Sequence, residues 1–135
     1  MRDRFGVLMA VALLLAACGG SPAASVSKAD CAKADAQGVI LLSAAAQRFD
    51  APCLIAPAGV AFTIRLTNHD GLPHDVAIYD SPSKGMKLFE GDPVNGAGSV
   101  DYAIGAMAAG EYFFECTFHP GDMKGTLYVE SAASP

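Results

Sequence analysis

The sequence predicts an all-β domain, built as a sandwich or barrel. Three observations carry that expectation. Short apolar runs alternate with polar positions at a period of two, the side-chain repeat of a strand. Turn-forming glycine, proline, asparagine and aspartate punctuate those runs at regular spacing. Beyond the N-terminus no long segment carries the apolar stripe of an amphipathic helix, and no internal repeat is present.

The elements follow in order from about Gly38. "GVILLSA" is a short β-branched, apolar run, and "CLIAP" is a second, closed by Pro57 and Gly59. "AFTIRLTN" alternates cleanly, with Phe62, Ile64 and Leu66 on one face and Thr63, Arg65 and Thr67 on the other. "HDVAIYD" alternates too, placing His74, Val76 and Ile78 together on the inward face. "SVDYAI", "EYFFECT" and "GTLYVE" complete the set. Turns are expected at Asn68-His69-Asp70-Gly71, Ser81-Pro82-Ser83, Gly91-Asp92-Pro93, Ala109-Gly110 and Pro120-Gly121.

The 135 residues allow one compact domain plus a short extension. Net charge is −5, Lys and Arg are scattered and there is no Trp, so nothing supports nucleic-acid binding. The first residues read as a targeting signal. Arg2 and Arg4 precede "FGVLMAVALLLAA", which is too short to span a bilayer comfortably. It runs into "LLAAC", Leu14 to Cys18, which resembles the lipobox of bacterial lipoproteins. That resemblance implies cleavage after residue 17 and lipid on Cys18, which would anchor the protein without a transmembrane helix. An ordinary secretory signal cut near Ala17 is the alternative. Cleavage leaves 7 Lys/Arg against 13 Asp/Glu, a mature charge of −6. "GGSPAASVSKAD" reads as a flexible tether. The expected organisation is signal 1–17, lipidated Cys and tether 18–36, folded domain 37–131 and a short tail 132–135.

The chemistry concentrates in "ECTFHPGDMKG", residues 115–125. Strand alternation puts Tyr112, Phe114 and Cys116 inward, and Glu111, Phe113 and Glu115 outward. Cys116 and His74 thus approach one end of the core from different strands. His119 and Met123 follow Cys116 in a loop with Pro120 and Gly121, which can fold back on the same spot. Singly, His74 reads as a core histidine, Cys116 as a buried apolar residue and Met123 as core filler. Together, two imidazoles, a thiolate and a thioether form a soft, nitrogen-rich set, the one that blue-copper electron-transfer centres use. Structural zinc favours four Cys/His ligands, and catalytic zinc has little use for Met. His69 reads as a solvated turn residue, and Met86 and Met107 as packing residues.

From "AQRFDAPCLIAPAGVAFTIRLTNHDGLPHDVAIYD" through "MAAGEYFFECTFHPGDMKGTLYVE" the chain resembles the cupredoxins, most nearly the small plastocyanin- and amicyanin-like type. The resemblance covers nearly all of the chain after the tether. It implies a Greek-key β-sandwich of about seven to eight strands and one copper ion held by His74, Cys116, His119 and Met123. Two departures stand out. The loop reads Cys-x2-His-x3-Met, so that Asp122 looks like an insertion that sets Met123 at a different height above the copper. Asp75 stands where the family usually has Asn; its N–H remains for the Cys116 sulfur, and its carboxylate can accept from the Thr117 hydroxyl.

The expected function is single-electron transfer outside the cytoplasm by a lipid-anchored monomer. Redox partners would dock transiently near His119, beside Phe118 and Pro120. The alternative is a carrier or chaperone that buffers or delivers copper; a metal-free interaction module has the full donor set against it. An enzyme is not expected, because copper nitrite reductases and multicopper oxidases need further His ligands and the chain has only three His. Of the four cysteines, Cys31 and Cys53 remain as an even pair available for a disulfide in an oxidising compartment.

Overall fold

A computed structural model describes residues 26–131. The expected signal peptide, Cys18 and the tail 132–135 lie outside the described residues. Among the described residues, after a single 3-10 turn, Lys28–Asp30, every regular element is a strand. They are β1 (Ala32–Lys33), β2 (Val39–Ala45), β3 (Arg48–Phe49), β4 (Cys53–Pro57), β5 (Phe62–Asn68) and β6 (Pro73–His74). Then follow β7 (Ala77–Tyr79), β8 (Lys87–Glu90), β9 (Val94–Asn95), β10 (Gly98–Ile104), β11 (Gly110–Glu115) and β12 (Lys124–Glu130). Among the described residues no helix is long and apolar enough to cross a membrane.

Two sheets enclose the core. One runs β1-β4-β12-β11-β7-β8 and the other β10-β5-β2-β3, while β6 and β9 form a separate two-stranded ribbon. The alternation of β5 is realised as read: Phe62, Ile64 and Leu66 are buried and Arg65 is exposed. Register aligns Ile64 with Ile40 on β2 and Tyr102 on β10, so apolar rows face the second sheet. From that sheet Leu54, Ile78, Phe114 and Leu127 close the same core. Each such fully buried side chain contributes roughly 1.5–3 kcal/mol of burial free energy. Gly125 is required by this packing. A Cβ there would lie 2.3 Å from the Pro52 carbonyl oxygen and 2.7 Å from the Phe114 ring.

Several expectations are corrected. The tether does not reach residue 36. Lys28 pairs with Glu130, β1 adds to β4 in parallel, and a Cys31–Cys53 disulfide joins the segment to the sheet. "HDVAIYD" is two strands, not one, because β6 pairs with β9 while β7 pairs with β11 and β8. Both of its faces are covered, so alternation there does not separate inside from outside. Strand β8 was not anticipated; "KLFE" is mostly exposed edge without clean alternation. Met86 is 67% exposed and is not part of the core packing, whereas Met107 does lie against the core.

Candidate metal centre

Cys116 follows the last residue of β11 and is fully buried. His74 ends β6 and is fully buried as well. The separate pairing of β6 with β9 is what brings this imidazole in from a different element. His119, half-buried, lies in the loop after Cys116. The Cys116 Sγ is 3.8 Å from Nδ1 of His74 and 3.6 Å from Nδ1 of His119. The two imidazole rings have centroids 4.8 Å apart. One donor atom from each of the three residues fits within 4.8 Å of the others. That spacing suits donors that surround one ion rather than bond one another.

Hydrogen bonds build the loop. The Cys116 N–H donates to the Met123 carbonyl at 2.8 Å and closes it. The His119 N–H donates to Cys116 O, and the N–H groups of Asp122 and Met123 both donate to His119 O. The additional residue is thus absorbed in a turn of four-residue span. Asp122 points to the surface, and Met123 is fully buried in the same apolar cluster as Cys116.

Asp75 ties the segment that carries His74 to the one that carries Cys116. Its side chain, 1% exposed, accepts the Thr117 backbone N–H at 2.6 Å and the Thr117 hydroxyl. Accepting twice is the bonding pattern of a carboxylate. Burial pushes the Cys116 thiol above its ordinary value, and backbone N–H groups of Asp75, Phe118 and His119 partly oppose this. His69 is exposed and stands apart from the cluster.

Two acidic residues escaped the sequence reading. Asp70 faces Nε2 of His74 with both oxygens, at 3.0 and 3.1 Å. That hydrogen bond, reinforced by one from the Leu72 N–H, holds the Asp70 carboxyl below its usual value. The signal was present in the sequence, as an acid four residues before a candidate donor histidine, inside a turn. Strand alternation puts Glu115 on the outer face, yet it is only 3% exposed. Tyr79 donates to it at 2.8 Å and Lys84 pairs with it at 2.8 Å, so the β7–β8 connection roofs it over. Burial first, and then the bond to Glu115, raises the Tyr79 phenol to about 12.

A two-sheet β-sandwich in which two imidazoles and a thiol converge defines a class, the small β-proteins with a candidate site for a single metal ion. The particular family follows from comparison. The family model of the cupredoxin-like domain matches residues 7–129, and the chain belongs to that family. Auracyanin A, a "blue" copper protein from the green thermophilic photosynthetic bacterium Chloroflexus aurantiacus, is 23% identical at a TM-score of 0.59. That match covers 68% of this chain and 98% of auracyanin A. Auracyanin B is 22% identical at a TM-score of 0.60, covering 68% and 88%. These two likenesses concern the fold. The Cu(I) form of an amicyanin variant is 27% identical at a TM-score of 0.53, covering 71% and 86%. The comparison with curated proteins finds no match.

Proposed function

We propose that this protein is a single-electron carrier whose cofactor is one copper ion held by His74 Nδ1, Cys116 Sγ, His119 Nδ1 and the Met123 thioether. The observation that carries the reading is the convergence of two imidazole nitrogens and one thiol within 4.8 Å. The donor chemistry fits the ion: two nitrogens, one sulfur and a buried thioether make a soft set that suits copper over zinc, magnesium or calcium. Bound there, copper would supply a one-electron couple between its cuprous and cupric states. The chain's own work is to keep the donors in one arrangement for both states. The Asp75–Thr117 bonds and the closed 116–123 loop support that rigidity.

His119 is the half-buried imidazole of the pair and lies between Phe118, 48% exposed, and the exposed Pro120. Leu72, 42% exposed, is on the loop that leads into His74. We assign the docking of redox partners to this edge, where an apolar rim allows brief contact. The anchor is assigned to lipid on Cys18, with the domain outside the cytoplasm. Full burial of Cys116 and Met123 favours electron transfer over copper delivery, since a carrier must expose its donors for exchange.

The test is the visible spectrum of the oxidised, copper-loaded protein. An intense thiolate-to-copper band, lost in Cys116→Ser, is expected. A colourless protein that binds cuprous ion tightly would overturn electron transfer in favour of the carrier.

A further inference from the structure

The proposed donor set leaves one side of His74 to be explained. Its imidazole is fully buried, with Nδ1 directed at the Cys116 sulfur and Nε2 at a carboxylate. A carboxylate only accepts hydrogen bonds, so Nε2 carries the ring proton and Nδ1 presents its lone pair. Asp70 is itself held. The Leu72 N–H donates to its Oδ1 at 2.9 Å, and its own N–H donates to Asn68 Oδ1 at 2.9 Å. Asn68, buried at the end of β5, spends its amide N–H groups on the Leu72 and Val94 carbonyls, at 2.7 and 3.0 Å. The turn 68–72 is therefore a bracket, closed on itself through Asn68 and fastened by that same side chain to β9.

We propose that Asp70 is a positioning residue for the metal site: it fixes the tautomer and ring orientation of His74 and sets a negative charge behind it that favours the cupric state. This rests on the reading of His74 as a copper ligand. A carboxylate behind a ligand imidazole raises the basicity of the ligating nitrogen, and loss of such a partner typically lowers metal affinity 10–100-fold. The more highly charged cupric ion gains more from a nearby anion than the cuprous ion does. Removing the charge should thus weaken cupric binding more than cuprous binding. A tenfold change in that preference corresponds to about 59 mV for one electron.

Two substitutions separate hydrogen bond from charge. Asp70→Asn keeps an acceptor oxygen for Nε2–H and removes the charge, and Asp70→Ala removes both. The full chain is measured in three forms: metal-free, loaded with zinc as a redox-inert probe, and loaded with copper. Nitrogen-15 NMR of His74 should show the proton on Nε2 in the wild-type metal-free and zinc forms. Asp70→Asn should retain that tautomer and raise the reduction potential by the equivalent of about a tenfold shift in preference. Asp70→Ala should raise it as well, and the metal-free form should populate the second tautomer. A wild-type metal-free protein with the proton on Nδ1 would overturn the proposal. So would an Asp70→Asn variant whose potential equals that of wild type. If Asp70→Ala does not fold, the wild-type tautomer and Asp70→Asn decide. If copper gives no blue band, the electron-transfer reading fails, and the tautomer alone decides the role of Asp70.

Discussion

Replacing Asp75 by Asn should raise the reduction potential. The substitution changes charge with little change of shape. Thr117 N–H can still donate to the side-chain oxygen, and the new amide N–H can donate to the Thr117 hydroxyl that now donates to Asp75. The residue adjoins His74, and its side chain bonds the residue after Cys116, so its charge lies close to the point where the donors meet. At an effective dielectric constant of about 20, a unit charge at an assumed separation of about 7 Å is worth about 2.4 kcal/mol. For one electron this corresponds to about 100 mV. The reoriented Thr117 dipoles offset part of it, so a rise of about 50–100 mV is expected. Spectroelectrochemical titration of the folded, copper-loaded protein measures it, with thermal unfolding run in parallel to check that the sandwich is intact. An unchanged or lower potential in a folded variant would refute the electrostatic reasoning.

The remaining expectations concern the sandwich. Replacing Cys31 and Cys53 together by Ser should lower unfolding free energy by about 3 kcal/mol, the loop-closure value for a bridge of this sequence separation. Denaturant titration checks it; an unchanged midpoint would mean that the Lys28–Glu130 pair and β1 hold the segment unaided. Tyr79 should titrate near pH 12 by ultraviolet absorbance rather than near its ordinary 10.0. The folded state holds the phenolic proton more tightly than the unfolded chain. Its contribution to stability is therefore complete below pH 10 and lost as pH rises through about 12. Glu115→Gln should bring that titration down, though not to the ordinary value, because burial is the larger cause.

The candidate donors were legible because their types and order carry the chemistry. Cys116, His119 and Met123 lie within eight residues, and alternation in "EYFFECT" places Cys116 inward whatever the rest of the chain does. The buried row of β5 was legible for the same reason: period two is a property of the backbone. Glu115 and the first residues of the sandwich were not. A side chain's burial depends on what lies over it, and the sequence around Glu115 does not announce the β7–β8 connection that brings Tyr79 and Lys84 onto it. Residues 28–36 look like tether because they are short and polar, and they are ordered by partners far away, at Cys53 and Glu130.

By itself, then, the sequence determined the faces of β5, the candidate donor residues and the Asp75 departure, all of them local facts of residue type and repeat. Only the tertiary structure decided that His74 is backed by Asp70, that the loop absorbs Asp122 while burying Met123, and that Asp75 accepts twice from Thr117. These arrangements depend on distances between separate segments, and such distances are set when the sheets pack.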